Sequence, residues 1–199
     1  MILSRVIAIS ALLILATAAL GTMPDARGQT GPGWVTLVDA KTMGDWDRIG
    51  DANWRMEDGA LVADSRSSKI NAYLVGKTSY TDLEIYAEFW ASGDANSGIF
   101  FRCGDRNKIG AKFCYEANIL DKGDATGAIT GLAKPTPPTR AADRWNSFEI
   151  TARGPKLVVV TNGQKTAETS DTTFGAGVLA LQYLTGTVKF RKVAVRPLP

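Results

Sequence analysis

The residues from Tyr80 to Trp90, YTDLEIYAEFW, alternate without a break. Leu83, Ile85, Ala87 and Phe89 fall on one face, and Glu84, Tyr86, Glu88 and Trp90 on the other. A period of two belongs to an extended strand with one buried face, because successive side chains of a strand point to opposite sides of its sheet. The same signal recurs along the chain. WVTLVD begins at Trp34, and NWRMEDGALVAD holds two short runs around Asp58-Gly59, a dipeptide suited to a type I′ hairpin turn. SGIFFRC and FCYEANIL flank the loop Gly104 to Lys112, WNSFEITARG precedes KLVVVTNGQKTAE, and the latter folds at Asn162-Gly163. VLALQYL and TVKFRKVAVRPL close the chain. No long segment carries a 3.6-residue period, and KPTPPTRAADR is too rich in proline for a central strand. The expected fold is therefore all-β, an antiparallel sandwich. In TVKFRKVAVRPL the parity slips between Phe190 and Val193, which predicts a β-bulge near Arg191-Lys192.

The first thirty residues read differently. A short positive start, Met1 to Arg5, is followed by an uncharged run from Val6 to Leu20 and then by small residues. The run falls short of the roughly 20 apolar residues that span a bilayer. This layout is that of a signal peptide over residues 1–21, with a flexible lead-in over 22–32 and a single domain over 33–199. The competing reading is an uncleaved single-span anchor. Export to the periplasm or the exterior is expected, with no membrane span once the signal is removed. The only two cysteines, Cys103 and Cys114, fit an oxidising compartment as a disulfide, against the alternative of two free buried thiols.

Composition narrows the chemistry. There is no histidine, which removes Ser-His-Asp and Cys-His catalysis and any His-ligated zinc or iron site. The formal charge of +3 is mild and its cations are scattered, so nucleic-acid binding has no footprint. Acid–base work falls to Asp, Glu, Lys or Tyr. The identity of any metal is open; one present here would be a hard divalent cation such as Ca²⁺ on oxygen ligands.

The motifs WVTLVD with Trp46, NSGIFFR, YEANILD, TGAITG, RWNSFEI, the Asn-Gly turn and LALQ…VKFRKVAV occur in that order. Together they resemble the bacterial 3-keto-disaccharide hydrolase domain family, over about Gly33 to Pro199. The resemblance implies a concanavalin A-like jelly roll and action on glycosides whose C3 hydroxyl has been oxidised to a ketone. The chain departs from the family pattern at Asn118, where members often carry Gln, and at Tyr183-Leu184, where many carry His after the LQ pair. These departures bear on activity rather than on fold.

The resemblance places Glu116, in the YE pair, as the base that removes the acidified C2 proton. Arg102 is the matching candidate for stabilising charge at the carbonyl oxygen, and Asp121 for a carboxylate on a sugar hydroxyl or a cation. The competing readings are a surface pair for Glu116 and Arg102, and a turn cap for Asp121. If Cys103 and Cys114 lie directly opposite each other, alternation puts Arg102 and Glu116 on different faces unless a bulge intervenes. Asn96, Asn118, Gln182, Tyr86 and Trp90 are candidate saccharide contacts, the last two as an aromatic platform beside Glu84 and Glu88. Three function classes remain open: a hydrolase or lyase-hydratase on 3-keto-glycosides, a non-catalytic carbohydrate-binding module of the same fold, and a structural interaction domain.

Overall fold

The structure, a computed structural model, describes residues 31–199. The expected signal peptide, and all but the end of the lead-in, lie outside the described residues.

Two antiparallel sheets face each other. With strands numbered in chain order, the eight-stranded sheet runs β11 (Gln164–Ser170), β10 (Lys156–Thr161), β9 (Trp145–Arg153), β6 (Leu83–Ala91), β13 (Val188–Pro197), β4 (Ala60–Ala63) and β3 (Arg55–Glu57). β1 (Val35–Val38) also pairs with β13. The five-stranded sheet runs β2 (Asp47–Ile49), β5 (Ala72–Tyr80), β12 (Gly177–Tyr183), β7 (Ser97–Cys103) and β8 (Tyr115–Ile119). Strands adjacent in space are mostly distant in sequence, as a jelly roll requires, and no helix occurs among the described residues.

Alternation decides what lies between the sheets. From β6, Leu83, Ile85, Ala87 and Phe89 turn inward, the face expected for them, and meet Phe148 and Ile150 of β9 and Ile99 and Phe101 of β7 in one buried cluster. Phe89 and Phe148 pack with ring centroids 4.6 Å apart. Each such fully buried side chain contributes about 1.5–3 kcal/mol of transfer free energy, so the two sheets cannot slide past one another cheaply. β13 carries the expected bulge: Phe190 pairs with Phe89 and Lys192 with Glu88, leaving Arg191 as the extra residue. The bulge is what lets Val188 and Phe190, and then Val193 and Val195, all face the core. The two hairpins turn as expected, with positive φ at Asp58 and Gly59 and again at Asn162 and Gly163.

Cys103 and Cys114 form the disulfide, with Cα atoms 4.6 Å apart. They are not directly opposite in the ladder. Phe101 pairs with Tyr115 and Phe100 with Glu116. β7 is bulged against β12, where Val178 pairs with Cys103 and Ala180 with Phe100. Phe101 and Arg102 therefore share the single partner Leu179, and Arg102 takes a φ of 54° to do so.

Candidate functional site

The outer face of the five-stranded sheet divides into two halves. Tyr73, Val75, Phe100, Val178, Ala180 and the disulfide form a second apolar cluster, with Ile49 and Ile109 packed on it. Ile109 belongs to the loop closed by the disulfide. Arg106 of that loop reaches across to pair with Asp47 on β2, so the loop lies as a strap over one end of the sheet. Toward β8 the face turns polar, and its rows begin in that apolar cluster. One row across it runs Tyr73, Gln182, Gly98 and Asn118, since Tyr73 pairs with Gln182 and Gly98 with Asn118. The next row runs Val75, Ala180, Phe100 and Glu116. Residues 127–130 extend the sheet past β8, with the Thr130 amide donating to the Glu116 carbonyl and the Asn118 amide to Ala128. Thr130 thereby stands beside Glu116.

Glu116 is the chemical centre of this half. It is 6 % exposed. Its side chain lies over Gly98: a Cβ at that position would stand 2.6 Å from Oε1. A side chain at 98 would thus occupy the space the carboxyl uses, which is why the row needs glycine there. Burial among Phe100 and its neighbours raises the Glu116 pKa from the ordinary 4.5 to about 7, while the Thr130 side chain acts in the opposite sense. Among the described residues no cation contributes to this balance.

Two amides flank it, and each has an unspent carbonyl. Asn118 Nδ2 donates to Thr130 Oγ1 at 3.3 Å, and Gln182 Nε2 donates to the Tyr73 hydroxyl at 3.4 Å. Asn118 Oδ1 and Gln182 Oε1 are buried with no hydrogen-bond partner among the described residues. Buried polar atoms are rarely left so, and an orphan acceptor marks a position where a water or a ligand hydroxyl would be held. On the far side of Asn118 and Thr130 lies a groove of about 400 Å³, lined also by Ala125, Ile129, Leu132 and Pro135. Asn96 is half-buried just before β7, on the same face as Gly98 by alternation, with its backbone tied to Leu184 and Thr185.

The remaining sequence candidates sit elsewhere. Arg102 is 3 % exposed and is not beside Glu116. The bulge turns it to the end of the sandwich, where its guanidinium donates to the carbonyls of Thr81 (2.6 Å), Gly154 (2.9 Å) and Phe174 (3.5 Å) and to Asp82 Oδ1 (2.9 Å). It ties the β5–β6 and β9–β10 turns together and spends four of its five N–H donors there, away from Glu116. Asp121 is likewise spent within the fold: it accepts from the amides of Ala141 and Ala142 and from the Thr126 hydroxyl. Tyr86 and Trp90 alternate as expected but lie on the outer face of the other sheet. Lys192 sits 5.4 Å over Tyr86 and Lys189 5.3 Å over Trp90, while Tyr86 donates to Glu88 at 2.8 Å. Two residues of the polar site are not among the sequence candidates. Tyr73 is discoverable from the alternation of NAYLV, which separates Tyr73 and Val75 from Ala72 and Leu74; Thr130 carries no signal beyond its place in TGAITG.

These features coincide with a family match. A family model for the 3-keto-alpha-glucoside-1,2-lyase-like domain fits residues 33–196. The chain belongs to this family. Family membership makes it a carbohydrate-active domain, hydrolase-like or carbohydrate-binding. Among solved structures it is similar to two proteins of Parabacteroides distasonis ATCC 8503 described as candidate glycosyl hydrolases. The first has a TM-score of 0.70 at 18% identity, over 84% of this chain and 95% of that one. The second has a TM-score of 0.65 at 20% identity, over 83% and 99%. The carbohydrate-binding module CBM66 of Bacillus subtilis is similar at a TM-score of 0.60 and 18% identity, over 82% and 95%. At these identities the likeness establishes the fold, a lectin-like sandwich, and nothing finer. No curated protein matches the chain.

A lectin of the same fold, the VIP36 exoplasmic/lumenal domain, binds Ca²⁺ and mannose. Ca²⁺ takes 6–8 oxygen ligands, usually with several carboxylates among them. Among the described residues there is no cluster of three or more acidic or cysteine side chains that could hold a metal. Glu116 is a lone carboxylate in its row, so the residues present do not fit such an ion.

Proposed function

We propose that the domain cleaves 3-keto-glycosides, with Glu116 as the base that removes the C2 proton. The observation that carries this reading is the state of Glu116: a buried carboxyl with no cationic partner and a pKa of about 7, lying over a glycine in a row of largely buried polar side chains. A general base works best with its pKa near the operating pH. A ketone at C3 acidifies the neighbouring C2–H. Transfer of that proton to Glu116 leaves an enolate whose charge rests on the C3 oxygen. The C1–O bond then breaks, its electron pair leaves with the aglycone oxygen, and C1=C2 forms. The protonated Glu116 returns its proton to the departing oxygen, and water adds across the double bond to complete hydrolysis.

The orphan carbonyls of Gln182 and Asn118 accept from sugar hydroxyls and hold the ring over Glu116. The groove beyond Asn118 receives the leaving group. The Cys103–Cys114 disulfide supports an oxidising compartment, periplasmic or extracellular, as the place of action. A second reading, a binding module without turnover, draws on the same two carbonyls, which would recognise hydroxyls whether or not Glu116 reacts.

The deciding experiment incubates the purified protein with a 3-keto-disaccharide, with and without chelator, and follows monosaccharide release and incorporation of solvent deuterium at C2. Release by the parent and its loss in Glu116→Gln by about 10²-fold, the usual weight of a general base, supports the enzyme. Saturable binding with neither release nor exchange supports the module.

A further inference from the structure

The reaction read above develops negative charge on the C3 oxygen, and the cation that the sequence offered for it, Arg102, is bound up elsewhere. Some other group must supply the donor. We propose that the phenol of Tyr73 donates its proton in a hydrogen bond to the C3 oxygen, as the neutral partner of the Glu116 base. This inference rests on the reading of Glu116 and adds the second half of the catalytic pair.

Three observations carry it. First, Tyr73 is in the right row and aimed by its neighbours. It is 5 % exposed, pairs with Gln182 across the ladder, and packs edge-on against Phe100 with ring centroids 5.6 Å apart. Phe100 is in turn the ladder partner of Glu116. Second, its hydrogen bonds are of one kind. The phenol oxygen accepts from Asn71 Nδ2 at 3.2 Å and from Gln182 Nε2 at 3.4 Å, and its own O–H finds no acceptor among the described residues. Two N–H donors on a phenol oxygen make its proton a better donor and direct it away from them. Turning the Gln182 amide over would let the phenol donate to Oε1 and free Nε2 instead. With the amide as it stands in the structure, the spare donor is the phenol O–H. Third, the span is right. The phenol is held toward β12 by Gln182, and the carboxyl lies over Gly98 of β7, so the two are one to two strand spacings apart, roughly 5–10 Å. Adjacent C2 and C3 atoms of one pyranose, with a proton leaving one and an oxygen on the other, fit between them. A buried, preorganised donor at a developing oxyanion typically accounts for about 10²–10³ in rate.

The test uses Tyr73→Phe, which keeps the ring and its contact with Phe100. With a 3-keto-disaccharide, kcat should fall by about 10²-fold while KM moves less than about threefold. Exchange of the C2 proton in D₂O should slow by the same factor, because the donor acts on the enolate and not on the leaving group. Asn71→Ala, which removes one of the two N–H donors without touching the phenol, should slow exchange severalfold and covers the case in which Tyr73→Phe loses stability. Parent-level exchange in Tyr73→Phe overturns the proposal, and if Glu116→Gln loses exchange in the same assay the base stands without the phenol. Slowed cleavage with unslowed exchange also overturns it, placing Tyr73 at the leaving group. A parent that neither exchanges C2–H nor releases sugar overturns both readings.

Discussion

If Glu116 is held in a site that disfavours its charge, the protein should become more stable when that charge is removed, and only above a definite pH. The group has an ordinary pKa of 4.5 in the unfolded chain and about 7 in the folded one. Below 4.5 both states carry the proton and the site costs nothing. As pH rises, the unfolded chain releases its proton first while the folded chain still holds it. Stability is therefore lost progressively through this window, and the loss levels off once pH passes the folded value near 7. The interval of 2.5 pH units, at about 1.36 kcal/mol each, corresponds to about 3 kcal/mol. Glu116→Gln keeps the shape and the Thr130 contact without an ionisable proton. Urea unfolding followed by tryptophan fluorescence, with the disulfide intact, should give parent and variant nearly equal stability at pH 4.5 and a variant more stable by about 3 kcal/mol at pH 8.5. Taking the difference between the two proteins at each pH cancels every other titrating group. A parent–variant difference that stays flat from pH 4.5 to 8.5 would refute the argument, because it would mean the carboxyl is solvated and has no reason to serve as a base at neutral pH. The same substitution is expected to lower turnover by about 10²-fold, so one residue would show stability given up for activity.

Other perturbations follow from the same geometry. The pH dependence of kcat/KM on a 3-keto-glycoside should rise through an inflection near 7 as Glu116 loses its proton. Gly98→Ala places a methyl 2.6 Å from Glu116 Oε1 and should push the carboxyl outward, lowering turnover about tenfold or more and moving the rate inflection down toward the ordinary carboxylate range. Arg102→Met should cost about 3–5 kcal/mol in thermal or urea unfolding, because Asp82 loses its cationic partner and three backbone carbonyls lose the guanidinium, and Arg102→Lys should restore only part of it since a single ammonium cannot span the fork. Replacing both Cys103 and Cys114 by Ser should cost about 2–3 kcal/mol for a loop with a sequence separation of 11, measured by the shift of the urea midpoint.

The contrast between Arg102 and Glu116 shows what local pattern can and cannot carry. Period-two alternation is a property of a few consecutive residues, so the inward face of YTDLEIYAEFW, the bulge in TVKFRKVAVRPL and the Asp-Gly and Asn-Gly turns are all legible in the chain's own residues. The face of Arg102 is not, because it depends on a register. Taking the cysteines as opposite partners sets Phe101 against Glu116, whereas the ladder sets Phe100 against Glu116 and spends an extra residue at Arg102. A change of one residue exchanges faces, and here the bulge, rather than alternation, carries the guanidinium to the far end of the sandwich. Tyr86 and Trp90 lie away from the Glu116 row for a different reason. Their parity is right, but parity names a face without naming the sheet, and the sheet they join has β13 cations lying over its aromatics.

The polar row itself is a product of long-range pairing. Ser97, beside Gly98 in β7, donates its hydroxyl to the carbonyl of Gln182 at a sequence separation of 85, and Gln182 reaches Tyr73 at 109. No window of sequence contains two of the row's members from different strands except the Gly98–Asn118 hairpin. The burial that raises the Glu116 pKa comes from strands brought in by that pairing, so the same YEANIL segment on an edge with solvent on its outer side would carry an ordinary surface glutamate. The arrangement is thus a consequence of sheet order: β12 must lie between β5 and β7 for the Tyr73 phenol, the Gln182 amide and the Glu116 carboxyl to share one face.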